Sequence, residues 1–192
     1  MTGRTHDLAA FTTLTYIIAT QPLIQMSLAT AFTAIAANMI GGIAPDIDQP
    51  TGKIWHKIPA GGIFGKIAHQ FTGSHRSISH SLLGMAIFGF LSSKLLNYIH
   101  TFLLVDIKIV WIAFMLGVIS HLVMDTFTKE GVPWLFPIPI RFGIPPIKAW
   151  RVTTGSIVER GFVFPLLLVT NGYLIYHHYE KFLDFIRHYI TK

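Results

Sequence analysis

Residues 8–45 read LAAFTTLTYIIATQPLIQMSLATAFTAIAANMIGGIAP and hold no charged side chain. A helix that crosses a bilayer needs about 20 mainly apolar residues, with a range of about 17–25. This run of 38 residues is too long for one such helix and long enough for two. Pro22, after Thr20-Gln21, is the natural break, because proline does not continue a helix interior. The stretch predicts a short first helix over about 8–20 and a second over about 22–43.

The same gaps recur outward from this stretch. There are 17 uncharged residues between Arg76 and Lys94, 16 between Lys108 and Asp125, and 19 between Arg160 and Glu180. Each suits one span. Asp106 and Lys108 can snorkel where the gap is a residue or two short. The first and third helices are short enough to be tilted or partly re-entrant. Residues 179–192 place Phe182, Phe185, Ile186 and Tyr189 on one helical face, the pattern of a helix lying on the membrane surface. The expected fold is all-α: one integral membrane bundle of about five hydrophobic helices with a C-terminal amphipathic helix, a single domain over 1–192.

Composition agrees. The 192 residues are 52% hydrophobic and 12% charged, against about 25% charged in a soluble domain, and mean hydropathy is +0.53. This argues against a disordered tail, a coiled coil or an ordinary cytosolic enzyme. A cleavable leader is the competing reading of the N-terminus, with Arg4, an apolar segment over 8–19 and a small-residue site at Ala29-Thr30-Ala31. The apolar run continues well past that site, as a span does. With no cysteine, disulfides, iron–sulfur clusters and thiolate metal sites are excluded. The net charge of +6 suggests anionic headgroups before nucleic acid.

Alternating the helices across the bilayer puts both long loops, 44–76 and 125–160, on one side. That side carries Arg4, Lys53, Lys57, Lys66, Arg76, Lys129, Arg141, Lys148, Arg151 and Arg160, ten of the fifteen cations. The positive-inside rule makes it cytoplasmic. Eight possible metal ligands gather at the same helix ends: His6, Asp46, Asp48, His75, His80, His121, Asp125 and Glu159. His121 and Asp125 are i, i+4 and share a helix face. Pro45 ends the second helix, so Asp46 and Asp48 fall on an extended or turn segment. His75 and His80 flank the start of the third helix.

Each residue alone has a plainer reading. His121 with Asp125 can be a buried ion pair, Asp46 and Asp48 a helix-ending turn, and Glu159 a helix N-terminal acid. Ionisable groups near membrane depth are costly unless paired or functional, so the joint placement favours a metal site. Nitrogen and oxygen ligands without sulfur suit zinc, with manganese as the second choice. Eight ligands exceed one tetrahedral site and predict two or three ions. Arg76, between two histidines, is the candidate for contact with an anionic substrate, since guanidinium matches phosphate in bidentate fashion.

The motifs Gly42-Ile43-Ala44-Pro45-Asp46-Ile47-Asp48-Gln49-Pro50, His75-Arg76-x3-His80-Ser81 and Ser120-His121-x3-Asp125-x2-Thr128-x2-Gly131-Val132-Pro133, in that order, resemble the YdjM-like family. That family is described as LexA-binding, inner-membrane-associated metal-dependent hydrolases of bacteria. The early His6 and the late Glu159 also match its pattern. Thr5 before His6 and Ser79 before His80 depart from the Gly and Thr that many members carry, and neither removes a ligand. A more distant similarity runs to zinc-dependent phospholipase C and a related family of all-helical nucleases, which share a His-x3-Asp pair.

The resemblance implies an enzyme of the bacterial inner membrane. The expected function is hydrolysis of a phosphoester on a phospholipid or lipid-linked phosphate by a divalent-metal site. Asp46 and Asp48 are expected as ligands or general base and Arg76 as the phosphate contact. The alternative is a non-enzymatic scaffold or tether, its metal only structural, with a LexA-type regulator as partner. A metal transporter is a third class, disfavoured because transport needs ligands near the midplane.

Overall fold

A computed structural model describes residues 1–22, 26–48, 78–102 and 104–190. Among these, six α-helices occur: α1 (Gly3–Thr20), α2 (Leu28–Ile43), α3 (Leu82–Ile99), α4 (Ile107–Thr126), α5 (Phe164–His177) and α6 (Tyr179–Ile190). The only β pairing among them is two isolated bridges in the loop after α4, Thr128 with Val152 and Val132 with Phe142. The fold is all-α, as expected.

The boundaries follow local chemistry. Ser27 caps α2, its hydroxyl accepting from the Thr30 amide, so this helix begins later than Pro22. Ser81 caps α3 through the Gly84 amide, so α3 starts beyond the histidine that precedes it. Asp106 caps α4 by accepting from the amides of Lys108 and Ile109. At the other end of α2 the chain tightens into a 3-10 turn over Ala44–Asp48. A π-helical turn, Glu159–Val163, leads into α5.

The closest packing joins α2 and α4. A Cβ on Gly41 would run into the backbone of Phe114, and one on Gly117 into the carbonyl oxygen of Asn38. Small residues thus let the two backbones approach, as they do between helices in lipid. Asn38, fully buried, donates to the carbonyl of Ala113 at 3.0 Å. The helix α1 packs on α2, α4 and α5, while α3 packs on α4. Val118 and Leu122 of α4 form a core with Ala44 and Val132, against which Trp134, Met85 and Phe88 pack.

Among the described residues, three segments are long and apolar enough to cross a membrane: Leu28–Asp48, Leu82–Phe102 and Ile107–Thr126. Outward-facing Phe90, Leu91 and Leu95 on α3 are each about 60% exposed in the isolated chain, which suits hydrocarbon. The first and last hydrophobic helices expected from the sequence are present as α1 and α5 but are not among these segments. The reasons differ: Arg4, His6, Asp7 and the threonines lower the hydropathy of α1, and α5 has 14 residues.

Candidate metal centre

At one end of the bundle, donors from four segments converge: α1 (His6), the turn after α2 (Asp46), the turn before α3 (His80) and α4 (His121 and Asp125). Two overlapping groups form, His6–His121–Asp125 and Asp46–His80–His121, each with its ligand atoms within 4.8 Å of one another. All but Asp46 are essentially inaccessible, while the Asp46 side chain is 22% exposed. It forms the open side.

Approach of α2 to α4 fixes His121. Its Nδ1 lies 2.7 Å from the Gly42 carbonyl oxygen, which makes Nδ1 the protonated nitrogen and turns the Nε2 lone pair inward. A second relay fixes His80. The Ser79 hydroxyl donates to Asp48 Oδ2 at 2.5 Å and lies 2.9 Å from His80 Nδ1. Asp48 Oδ2 is itself 3.5 Å from that nitrogen. Ser79 therefore accepts from His80 Nδ1–H, and Nε2 is again the free lone pair.

The two Nε2 atoms face each other at 3.2 Å. Asp46 Oδ1 lies 3.8 Å from His80 Nε2 and 3.6 Å from His121 Nε2. Asp125 Oδ2 lies 3.7 Å and 3.8 Å from the same atoms. His80 Nε2, His121 Nε2 and Asp125 Oδ2 thus lie 3.2 to 3.8 Å from one another, close to the ~3.4 Å between ligand atoms of a tetrahedral zinc site with bonds of about 2.0–2.1 Å, and Asp46 Oδ1 approaches the two nitrogens from the open side. The other oxygen of Asp125 faces a different set. Its Oδ1 is 3.2 Å from His6 Nε2 and bonds the amino nitrogen of Met1. The His6 ring stacks on that of His121, centroids 3.7 Å apart, and its buried Nδ1 has no hydrogen-bond partner in the described structure.

Two expected ligands are placed elsewhere. Asp48 stands behind His80, on its Nδ1 side. Glu159 belongs to neither ligand group. It accepts from the Thr2 amide (2.6 Å), the Thr2 hydroxyl (2.8 Å), the Thr5 hydroxyl (2.6 Å) and the Gly155 amide (2.6 Å). Burial alone would raise its pKa, but these donors hold the carboxylate down to about 2. Glu159 thus ties the loop before α5 to the first turn of α1, the turn that carries His6. His75 and Arg76 lie outside the described residues. Ser79, as the link between Asp48 and His80, had no signal in the sequence beyond its place beside a histidine.

A family model described as "YdjM inner membrane protein" matches residues 1–182. The "Uncharacterized protein YvsG" of Bacillus subtilis (strain 168) is 31% identical over 182 residues, covering 92% of this chain and 98% of that one. No solved structure matches.

Proposed function

Because the chain belongs to the YdjM inner membrane protein family, we propose that it is a membrane-bound, metal-dependent phosphoester hydrolase acting on a phospholipid or lipid-linked phosphate. One observation carries the reading: Asp125 offers Oδ2 to His80 and His121 and Oδ1 to His6. A carboxylate with one oxygen toward the His80 and His121 nitrogens and the other toward His6 could serve two ions. His80, His121 and Asp125 would hold one ion, with Asp46 beside it on the open side, and His6 with Asp125 would supply donors to the other. Zinc fits this nitrogen–oxygen set, and manganese fits less well.

When bound, such a pair polarises phosphoryl oxygens and acidifies a water. The chain's own residues do the rest. Gly42 and the Ser79–Asp48 pair keep both Nε2 atoms unprotonated and aimed. Asp46, on the open side, is within reach of an incoming water and is the candidate base. Burial of His6, His80, His121 and Asp125 keeps solvent from all but the Asp46 side. The bias of cations toward the loops at this end supports a cytoplasmic site at headgroup depth, where a lipid phosphate already resides.

A second reading has an observation of its own. With Asp46 also bound, the ion would have four protein ligands, the number of a closed, structural zinc site, and could instead staple a scaffold or tether, including one for a LexA-type regulator. Metal content and turnover separate the two. Detergent-purified wild type is expected to hold about two zinc or manganese ions, lost in His121→Ala/Asp125→Ala. Loaded protein is expected to release phosphate or headgroup from phospholipid vesicles, and Asp46→Asn to slow release about 100-fold while retaining metal. Metal without any release would leave the staple. No metal in wild type would remove both readings.

A further inference from the structure

The loop that joins α4 to the π-helical turn before α5 is irregular but firmly held. The Ile144 amide donates to the Thr126 carbonyl at 2.9 Å and the Val152 amide to the Phe127 carbonyl at 3.0 Å. Val132 and Phe142 exchange amide–carbonyl bonds of 2.8 and 2.9 Å, and the Leu82 amide donates to the Trp134 carbonyl at 3.0 Å. The loop backbone is thus fastened to the end of one membrane-length segment, at Thr126, and to the start of another, at Leu82. Its base sits at the level where those segments leave hydrocarbon.

The outward side chains of this loop are apolar. Leu135, Ile138, Ile140, Ile144, Ile147 and Trp150 are each 45% to 73% exposed. Single exposed apolar residues are ordinary, but a run of them marks a surface that meets something. Charge identifies the partner. Between Glu130 and Glu159 the chain has three cations, Arg141, Lys148 and Arg151, and no acid. Arg151 is spent inside the loop, donating to the carbonyls of Pro145 at 2.7 Å and Pro146 at 2.9 Å. Arg141 and Lys148 are exposed. Arg141 stands between Ile140 and Phe142, and Lys148 between Ile147 and Trp150, so each can lay its stem on apolar neighbours and extend its charge beyond them.

From this pairing of apolar and cationic side chains at the level of the span ends we infer that loop 131–158 is a binding surface for anionic phospholipid. The apolar side chains enter the headgroup region, where tryptophan is favoured, and Arg141 and Lys148 pair with headgroups of net negative charge. A second copy of the chain is the poorer occupant. A two-fold contact through this loop would bring cations against cations, with no acid in the loop to answer them. The inference does not rest on a bound metal or on turnover. It gathers anionic lipid at the end of the bundle that carries Asp125, the neighbour of Thr126.

The test uses the full chain in phosphatidylcholine vesicles, with Ile147→Cys carrying a bimane fluorophore; the chain has no cysteine of its own. Brominated phosphatidylglycerol or brominated phosphatidylcholine is titrated in and quenching is followed. Phosphatidylglycerol is expected to reach half-maximal quenching at about a fivefold lower mole fraction, the factor that one cation near an anionic surface supplies. High salt is expected to shrink that difference. Arg141→Gln/Lys148→Gln is expected to abolish it while both lipids still quench. Ile140→Cys gives the same readout if Ile147→Cys folds poorly. Equal quenching by the two lipids with both cations present means immersion without preference and overturns the inference. A preference that survives Arg141→Gln/Lys148→Gln does the same. So does quenching by neither lipid, the result if a second copy or a soluble partner covers the loop.

Discussion

His80 illustrates how much of the candidate centre depends on residues that touch no ligand position. Its inward nitrogen is available only while Ser79 and Asp48 hold the proton on the other one. Removing such a partner commonly costs 10- to 100-fold in metal affinity. Ser79→Ala and Asp48→Asn are therefore expected to weaken zinc binding by about that factor, read by competition with a chromophoric chelator, while Ser79→Thr keeps wild-type affinity. Equal affinity in Ser79→Ala would show that the relay is idle. Glu159 makes a different kind of prediction. Its folded pKa of about 2 lies below its ordinary 4.5, so its contribution to stability is complete above about 4.5 and is lost as pH falls toward 2. Thermal midpoints in detergent are expected to drop across that window more steeply in wild type than in Glu159→Gln. His6, His80, His121 and the aspartates stand out in the sequence because ionisable groups are rare in this chain. The roles of Ser79 and Glu159 do not, since a hydroxyl relay and a loop-to-helix tie leave no periodic mark.

Helix pairing decides where those residues meet. The ring of His121 reaches Gly42 only because α2 and α4 touch backbone to backbone at Gly41 and Gly117. Gly117→Ala puts a methyl group against the Asn38 carbonyl and must push the helices apart, an overpacking cost of about 1–3 kcal/mol. The expected outcome is a lower melting temperature together with loss of bound metal. A methyl substitution on the outer face, Gly172→Ala, where a Cβ meets nothing within 4 Å, should change neither. Apolar run length made the number of helices legible, down to the amphipathic α6. Their starts were less so. The charge-free stretch hides the Ser27 cap of α2, and the second gap in charge begins several residues before the Ser81 cap of α3. Nor does apolar run length tell a span from an inner helix. In α1 the buried threonines face helices rather than lipid.

For the bundle as a whole, the uneven loop charge predicts an orientation that is directly measurable. The chain has no cysteine, so single cysteines report position without a background. Glu130→Cys, in the loop at the metal end, is expected to react with an impermeant maleimide only after the inner membrane is opened. Tyr98→Cys, at the far end of α3, is expected to react from outside. The reverse pattern would place the centre on the outer side and would require the substrate to be sought there.

The donors at the centre come from α1, the turn after α2, the turn before α3 and α4, separated by as many as 119 positions between His6 and Asp125. No short piece of the chain holds enough of them to retain an ion. Capture of a metal there would thus be a late event that certifies completed assembly, and it would withdraw the finished bundle from the pool that can come apart. Under metal starvation the same chain would be made at the same rate yet remain open to membrane proteases for longer. Its abundance would then follow the supply of the ion through turnover rather than through synthesis.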